Sequence, residues 1–172
     1  MSKVMQPLGR RGMYYLAAAV SDFFVPNQRT PQHKIQSGKG SLVIEMDQVP
    51  KVLKPMVQQW APEGFVVSFK LETDMDLLLP KASAALRRYG HQIVIANDLN
   101  TRKEKVCFVT NGGVSQAADG TAGGGEGDGI EGKWLELDRK RDGPDAEIEE
   151  KIVDELAVLH ERWIEQGASG KR

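Results

Sequence analysis

The sequence predicts an α/β fold with a mostly parallel sheet and helices on both faces. Three short apolar runs end in polar clusters: Leu16-Ala-Ala-Ala-Val-Ser-Asp22, Phe65-Val-Val-Ser-Phe-Lys-Leu-Glu-Thr73 and Ile93-Val-Ile-Ala-Asn-Asp98. Runs of this length without polar alternation suit strands covered on both sides, as in parallel sheets under helices. The order strand, helix, strand repeats along the chain, which calls for right-handed crossovers. Ligands of such sheets bind outside the carboxyl ends of the strands, so Ser21, Asp22, Lys70, Glu72, Asn97 and Asp98 are the first candidates for function.

Met13 to Val20 reads as the first buried strand. From Phe23 to Ser41 the chain is polar, with prolines at 26 and 31, and long connections of this kind are often functional. Leu42 to Met46 reads as a short strand. Val52, Leu53, Met56, Val57 and Trp60 recur at helical spacing, so an amphipathic helix is expected there despite Pro55. Phe65 to Phe69 is the next strand, followed by a helix over Met75 to Tyr89 closed by Gly90, and a strand over Gln92 to Ala96. Val106 to Thr110 and Lys133 to Leu137 form a late antiparallel hairpin. Its glycine-rich connection, about 111–132, has few apolar residues and reads as a disordered loop. Asp145 is placed to cap a last helix with the buried stripe Ile148, Ile152, Leu156, Leu159 and Trp163. Residues 1–165 thus read as one domain, and a tail over 166–172 is expected to fray.

The 172 residues carry a net charge of −1, so no basic field points to nucleic acid or to an anionic membrane. No apolar run approaches a membrane span and the first residues lack the apolar stretch of a signal peptide, which makes the cytoplasm the expected location. The single cysteine, Cys107, lies in a strand pattern and reads as a buried structural thiol. His33, His91 and His160 have no metal-ligand spacing. Ser37-Gly-Lys-Gly-Ser41 fails as a Walker A loop, because Gly40 follows Lys39 and His33 stands where the first glycine belongs.

A set of ordered motifs then carries a family resemblance. These are Tyr15-Leu-Ala-Ala-Ala-Val-Ser-Asp-Phe-Phe-Val-Pro26, His33-Lys-Ile-Gln-Ser37, Val49-Pro-Lys-Val-Leu53, Trp60-Ala-Pro62, Ser68-Phe-Lys-Leu-Glu-Thr73, Tyr89-Gly-His-Gln-Ile-Val-Ile-Ala-Asn97 and Ile148-Glu-Glu-Lys-Ile-Val-Asp154. Together they resemble the eukaryotic form of phosphopantothenoylcysteine synthetase, from about Gln6 to about Glu161. The resemblance implies a Rossmann-like fold and a ligase of coenzyme A synthesis. That enzyme joins 4'-phosphopantothenate to L-cysteine through an acyl-nucleotide intermediate, with ATP or CTP as co-substrate and Mg²⁺. It also implies a homodimer.

By the same resemblance, Ala18 and Ala19 bring backbone close to the acyl intermediate. Asp22 contacts the nucleotide, and Lys34 belongs to a segment that closes over the intermediate. Val49, Pro50, Lys51, Val52 and Phe69 surround the base and ribose, and Asn97 faces the substrate. Read without the resemblance, Asp22 fits a turn cap equally well, Asn97-Asp98 fits an Asx turn, and Lys70 with Glu72 fits an exposed ion pair. Two departures stand out. Bacterial members carry two nucleotide-binding lysines on the helix before the Ala-Asn-Asp strand. Here those places fall at about Ala85 and Tyr89, which leans toward ATP. The family's amino-terminal strands, with a glycine-rich turn and a Ser-Ser-Gly segment, are missing from the pattern. An incomplete form that acts with a partner chain is therefore the alternative expectation.

Overall fold

The computed structural model describes residues 2–33, 40–111 and 130–169. In chain order the strands are β1 (Met13–Leu16), β2 (Phe23–Phe24), β3 (Asp47–Gln48), β4 (Phe65–Glu72), β5 (Ile93–Asp98), β6 (Lys105–Asn111) and β7 (Ile130–Glu136). The α-helices are α1 (Ser2–Met5), α2 (Leu53–Pro55), α3 (Met75–Tyr89), α4 (Arg139–Asp142) and α5 (Ile148–Ser169). They fall into two compact units: one holds residues 1–17 and 53–172, the other Ala18–Val52.

The larger unit is built on a five-stranded sheet in the order β1-β4-β5-β6-β7. β1, β4 and β5 run parallel, while β6 and β7 are antiparallel to their neighbours. The expected late hairpin is present, pairing Lys105 with Glu136 through to Asn111 with Ile130. Register assigns the faces. Phe65, Val67, Ile93, Ile95, Val106 and Phe108 pack with Ile148, Ile152, Leu156 and Leu159 of α5 on one side. Val94, Ala96, Cys107 and Val109 pack with Leu78, Ala82 and Leu86 of α3 on the other. On that same face, Tyr14 and Val66 meet Met56 and Ala61. Helices therefore cover both faces, and the apolar runs of β4 and β5 have no polar alternation because neither side meets water.

The helices follow their sequence signals closely, with three exceptions. Asp74 caps α3, its carboxylate accepting from the Asp76 N–H at 2.9 Å, and Gly90 ends it in the left-handed region at φ 70. α2 ends at Pro55, and the next turn, Met56–Trp60, widens into π geometry. Proline has no N–H to continue the α ladder, which accounts for the interruption there. α5 begins at Ile148, so its N-cap position is Glu147 rather than Asp145. It also continues through Gln166 to Ser169 instead of fraying. The Arg10 guanidinium stacks 4.0 Å over the Trp163 ring and donates to the Trp163 carbonyl at 2.7 Å. Arg10 also lies so close to Gly167 that a Cβ there would strike its side chain, so the amino-terminal segment pins the last turns of the helix.

The smaller unit departs most from expectation. β1 stops at Leu16 rather than Val20, because the chain leaves the sheet at Ala17 for the second unit. Leu42 to Met46 is not a strand. Leu42, Val43, Ile44 and Met46 are exposed, and the strand lies just beyond, where Asp47–Gln48 pairs with Phe23–Phe24. A lone apolar run has no ladder to join until a partner strand stands beside it, and here the partner meets the next two residues. Arg29 ties this region together, donating to Asp47 at 2.8 Å. The glycine-rich stretch at 112–129 lies outside the described residues, and strand extends into both margins of the loop expected there, to Asn111 and from Ile130.

Candidate functional site

In the larger unit, the carboxyl ends of β1, β4 and β5 form one edge of the sheet, and register divides their side chains between its faces. Tyr15 aligns with Val67, and Leu71 with Asn97, so Tyr15, Phe69, Leu71 and Asn97 share the face covered by α5. The rings of Tyr15 and Phe69 meet edge to face, with centroids 5.1 Å apart at 82°. Burial, and secondarily the charge of Glu149 near the start of α5, raise the Tyr15 phenol above its usual value, so it stays a neutral hydrogen-bonding group at physiological pH. Asn97 Oδ1 is shut off from solvent and has no hydrogen-bond partner among the described residues. A buried acceptor left unpaired carries a desolvation cost, which a ligand N–H or O–H would relieve.

The opposite face of the same edge is charged. Glu72 accepts from Lys70 Nζ at 2.6 Å and from Lys81 Nζ of α3 at 2.8 Å. The hydrogen bond from Lys70, then that from Lys81, holds the Glu72 carboxyl below the usual carboxylate range. Lys70 and Glu72 are thus an ion pair, as the plainer sequence reading had it, but one enlarged by Lys81 into a net positive cluster. Asp98 is a turn residue. Its carboxylate accepts from the N–H groups of Asn100 at 2.9 Å and Thr101 at 3.1 Å, the Asx-turn arrangement of the plainer sequence reading.

The smaller unit gathers a second set. Asp22 and Lys51 form an ion pair at 2.5 Å, and the Val49 N–H donates to the Asp22 carbonyl at 2.9 Å. The structure therefore brings Asp22 to the segment Val49, Pro50, Lys51, Val52, across 29 positions of sequence. Val49 is half-buried, and Pro50, Lys51 and Val52 are exposed beside it. Ala18 and Ala19 are exposed, in the irregular chain just after β1. Lys34 lies outside the described residues.

Two buried groups are poorly suited to act as reactive centres. Cys107 is fully buried, and burial pushes its thiol up to about 12, so it is the structural thiol expected. His91 is buried as well, with its Nε2 2.8 Å from Ser68 Oγ. Among the described residues no three His, Cys, Asp or Glu side chains gather as ligands for a metal ion. Sequence reasoning missed Tyr15 and Lys81 as parts of the edge. The only available signal for Tyr15 was its two-residue offset from Met13 in the strand pattern. For Lys81 it was a position one turn before Ala85 on the helix.

Residues 1–121 match the family described as the DNA/pantothenate metabolism flavoprotein C-terminal domain. The chain is 43% identical over 162 residues to phosphopantothenate–cysteine ligase 2 of Oryza sativa subsp. japonica, covering 94% of this chain and 43% of that protein. It is 42% identical over 163 residues to phosphopantothenate–cysteine ligase of Homo sapiens, covering 95% of this chain and 47% of that one. Among solved structures it is similar to a Cab2 mutant in complex with phosphopantothenate-cysteine, with a TM-score of 0.77, 40% identity, and coverage of 97% of this chain and 49% of that chain. The chain thus spans less than half the length of the relatives it matches.

Proposed function

The chain belongs to the DNA/pantothenate metabolism flavoprotein C-terminal domain family, and from that premise we propose that it serves as a phosphopantothenate–cysteine ligase of coenzyme A biosynthesis. The observation that carries this reading is similarity to such ligases along nearly the whole chain, including the fold of one in complex with phosphopantothenate-cysteine.

In the proposed reaction the 4'-phosphopantothenate carboxylate attacks the α-phosphate of a nucleoside triphosphate and pyrophosphate leaves. The amine of L-cysteine then attacks the acyl carbon, forming the amide and releasing the nucleoside monophosphate. A carboxylate is unreactive toward an amine until it is activated in this way, and the positive charge needed at the phosphates is local rather than global. Asp22 and Lys51 suit the nucleotide end. Their exposed ion pair can open to offer a carboxylate to a ribose hydroxyl and an ammonium to phosphate. Lys34 is assigned to the segment that excludes water from the anhydride, Ala18 and Ala19 to close backbone approach, Val49, Pro50, Val52 and Phe69 to the base and ribose, and Asn97 to the acyl substrate. Mg²⁺ enters as the partner of the nucleotide phosphates. ATP is the preferred nucleotide in this proposal, supported by Ala85 and Tyr89 at the places where bacterial members carry lysines. A cytoplasmic location and a homodimer belong to the same proposal.

The test supplies the chain with 4'-phosphopantothenate, L-cysteine, Mg²⁺ and either ATP or CTP, and follows pyrophosphate release together with amide formation. Product with ATP at a higher rate than with CTP is the expected result. No product with either nucleotide refutes catalysis by this chain alone. A second reading, activity only in company with another polypeptide, is favoured by the chain's covering 43% to 49% of its relatives. It predicts that product appears when the remaining part of such a ligase is added as a separate chain.

A further inference from the structure

We draw no further inference here: the strongest candidate, the outer edge of β1 over Met13–Leu16, which is bonded to β4 alone among the described strands, carries nothing because nothing in the structure shows what covers it.

Discussion

His91 shows how a single buried residue couples this protein to pH. It is 1% exposed and its imidazole stays neutral because burial holds it down to about 4, whereas in an unfolded chain it titrates near 6.5. Between those values the unfolded state binds the extra proton, so stability is complete above pH 6.5 and declines as the pH falls toward 4. The slope approaches about 1.4 kcal/mol per pH unit, or about 2 kcal/mol between pH 6.5 and 5. Urea unfolding at those two pH values should register that loss in the unsubstituted chain and not in His91→Gln. A profile equally flat in both would contradict the buried neutral state. Asp142 acts in the opposite range. The hydrogen bond from Lys151, then that from the Asp138 N–H, holds its carboxyl at about 2, so its contribution is present above the ordinary aspartate value and disappears only in strong acid.

At the scale of elements, α3 is the piece most completely written in local sequence. Its cap at Asp74, its stripe of Leu78, Ala82 and Leu86, and its stop at Gly90 are all signals from residues near in the chain. Gly90 also offers a clean measurement, because its φ is 70 and nothing lies within 4 Å of where a Cβ would stand. Gly90→Ala should therefore cost about 1 kcal/mol, the backbone strain of the left-handed region alone, read as a lower urea midpoint with unchanged slope. A cost near zero would show that the helix end relaxes to another cap. β4 and β5 were legible for a related reason: a strand buried on both faces announces itself by continuous apolar content. Leu42 to Met46 has similar content and forms no strand, since pairing depends on a neighbour that the run itself does not specify. The π turn after Pro55 belongs with it, because the periodicity of Val52 to Trp60 reports a helix but not its hydrogen-bonding pattern.

At the scale of the molecule, β1 is an edge of the sheet, bonded on one side to β4 alone among the described strands. In the smaller unit Val20, Phe23, Leu42, Val43 and Ile44 are each more than half exposed. Apolar surface of this kind is a place for a partner, and the proposed homodimer gives it one. Light scattering on the purified chain should return twice the monomer mass, and the double substitution Val43→Glu with Ile44→Glu should shift it toward monomer. A monomer at micromolar concentration for the unsubstituted chain counts against the homodimer.

The candidate site divides along the same line. Asp22 and Asn97 were reachable as residues at the ends of apolar runs, whereas Phe69 came only through the ordered motifs that resemble the family. Local sequence alone determined the parallel core of β4 and β5, the helix α3, the late hairpin and the polar character of the strand ends, because propensity and hydrophobic period act between residues close in the chain. Only the tertiary structure decided that Asp22 meets Lys51, that Lys81 joins Glu72, and that Tyr15, Phe69 and Asn97 share one face while Lys70 and Glu72 share the other. Those relations depend on strand register and on packing between segments tens of residues apart, and a shift of one residue would move every one of these side chains to the opposite face.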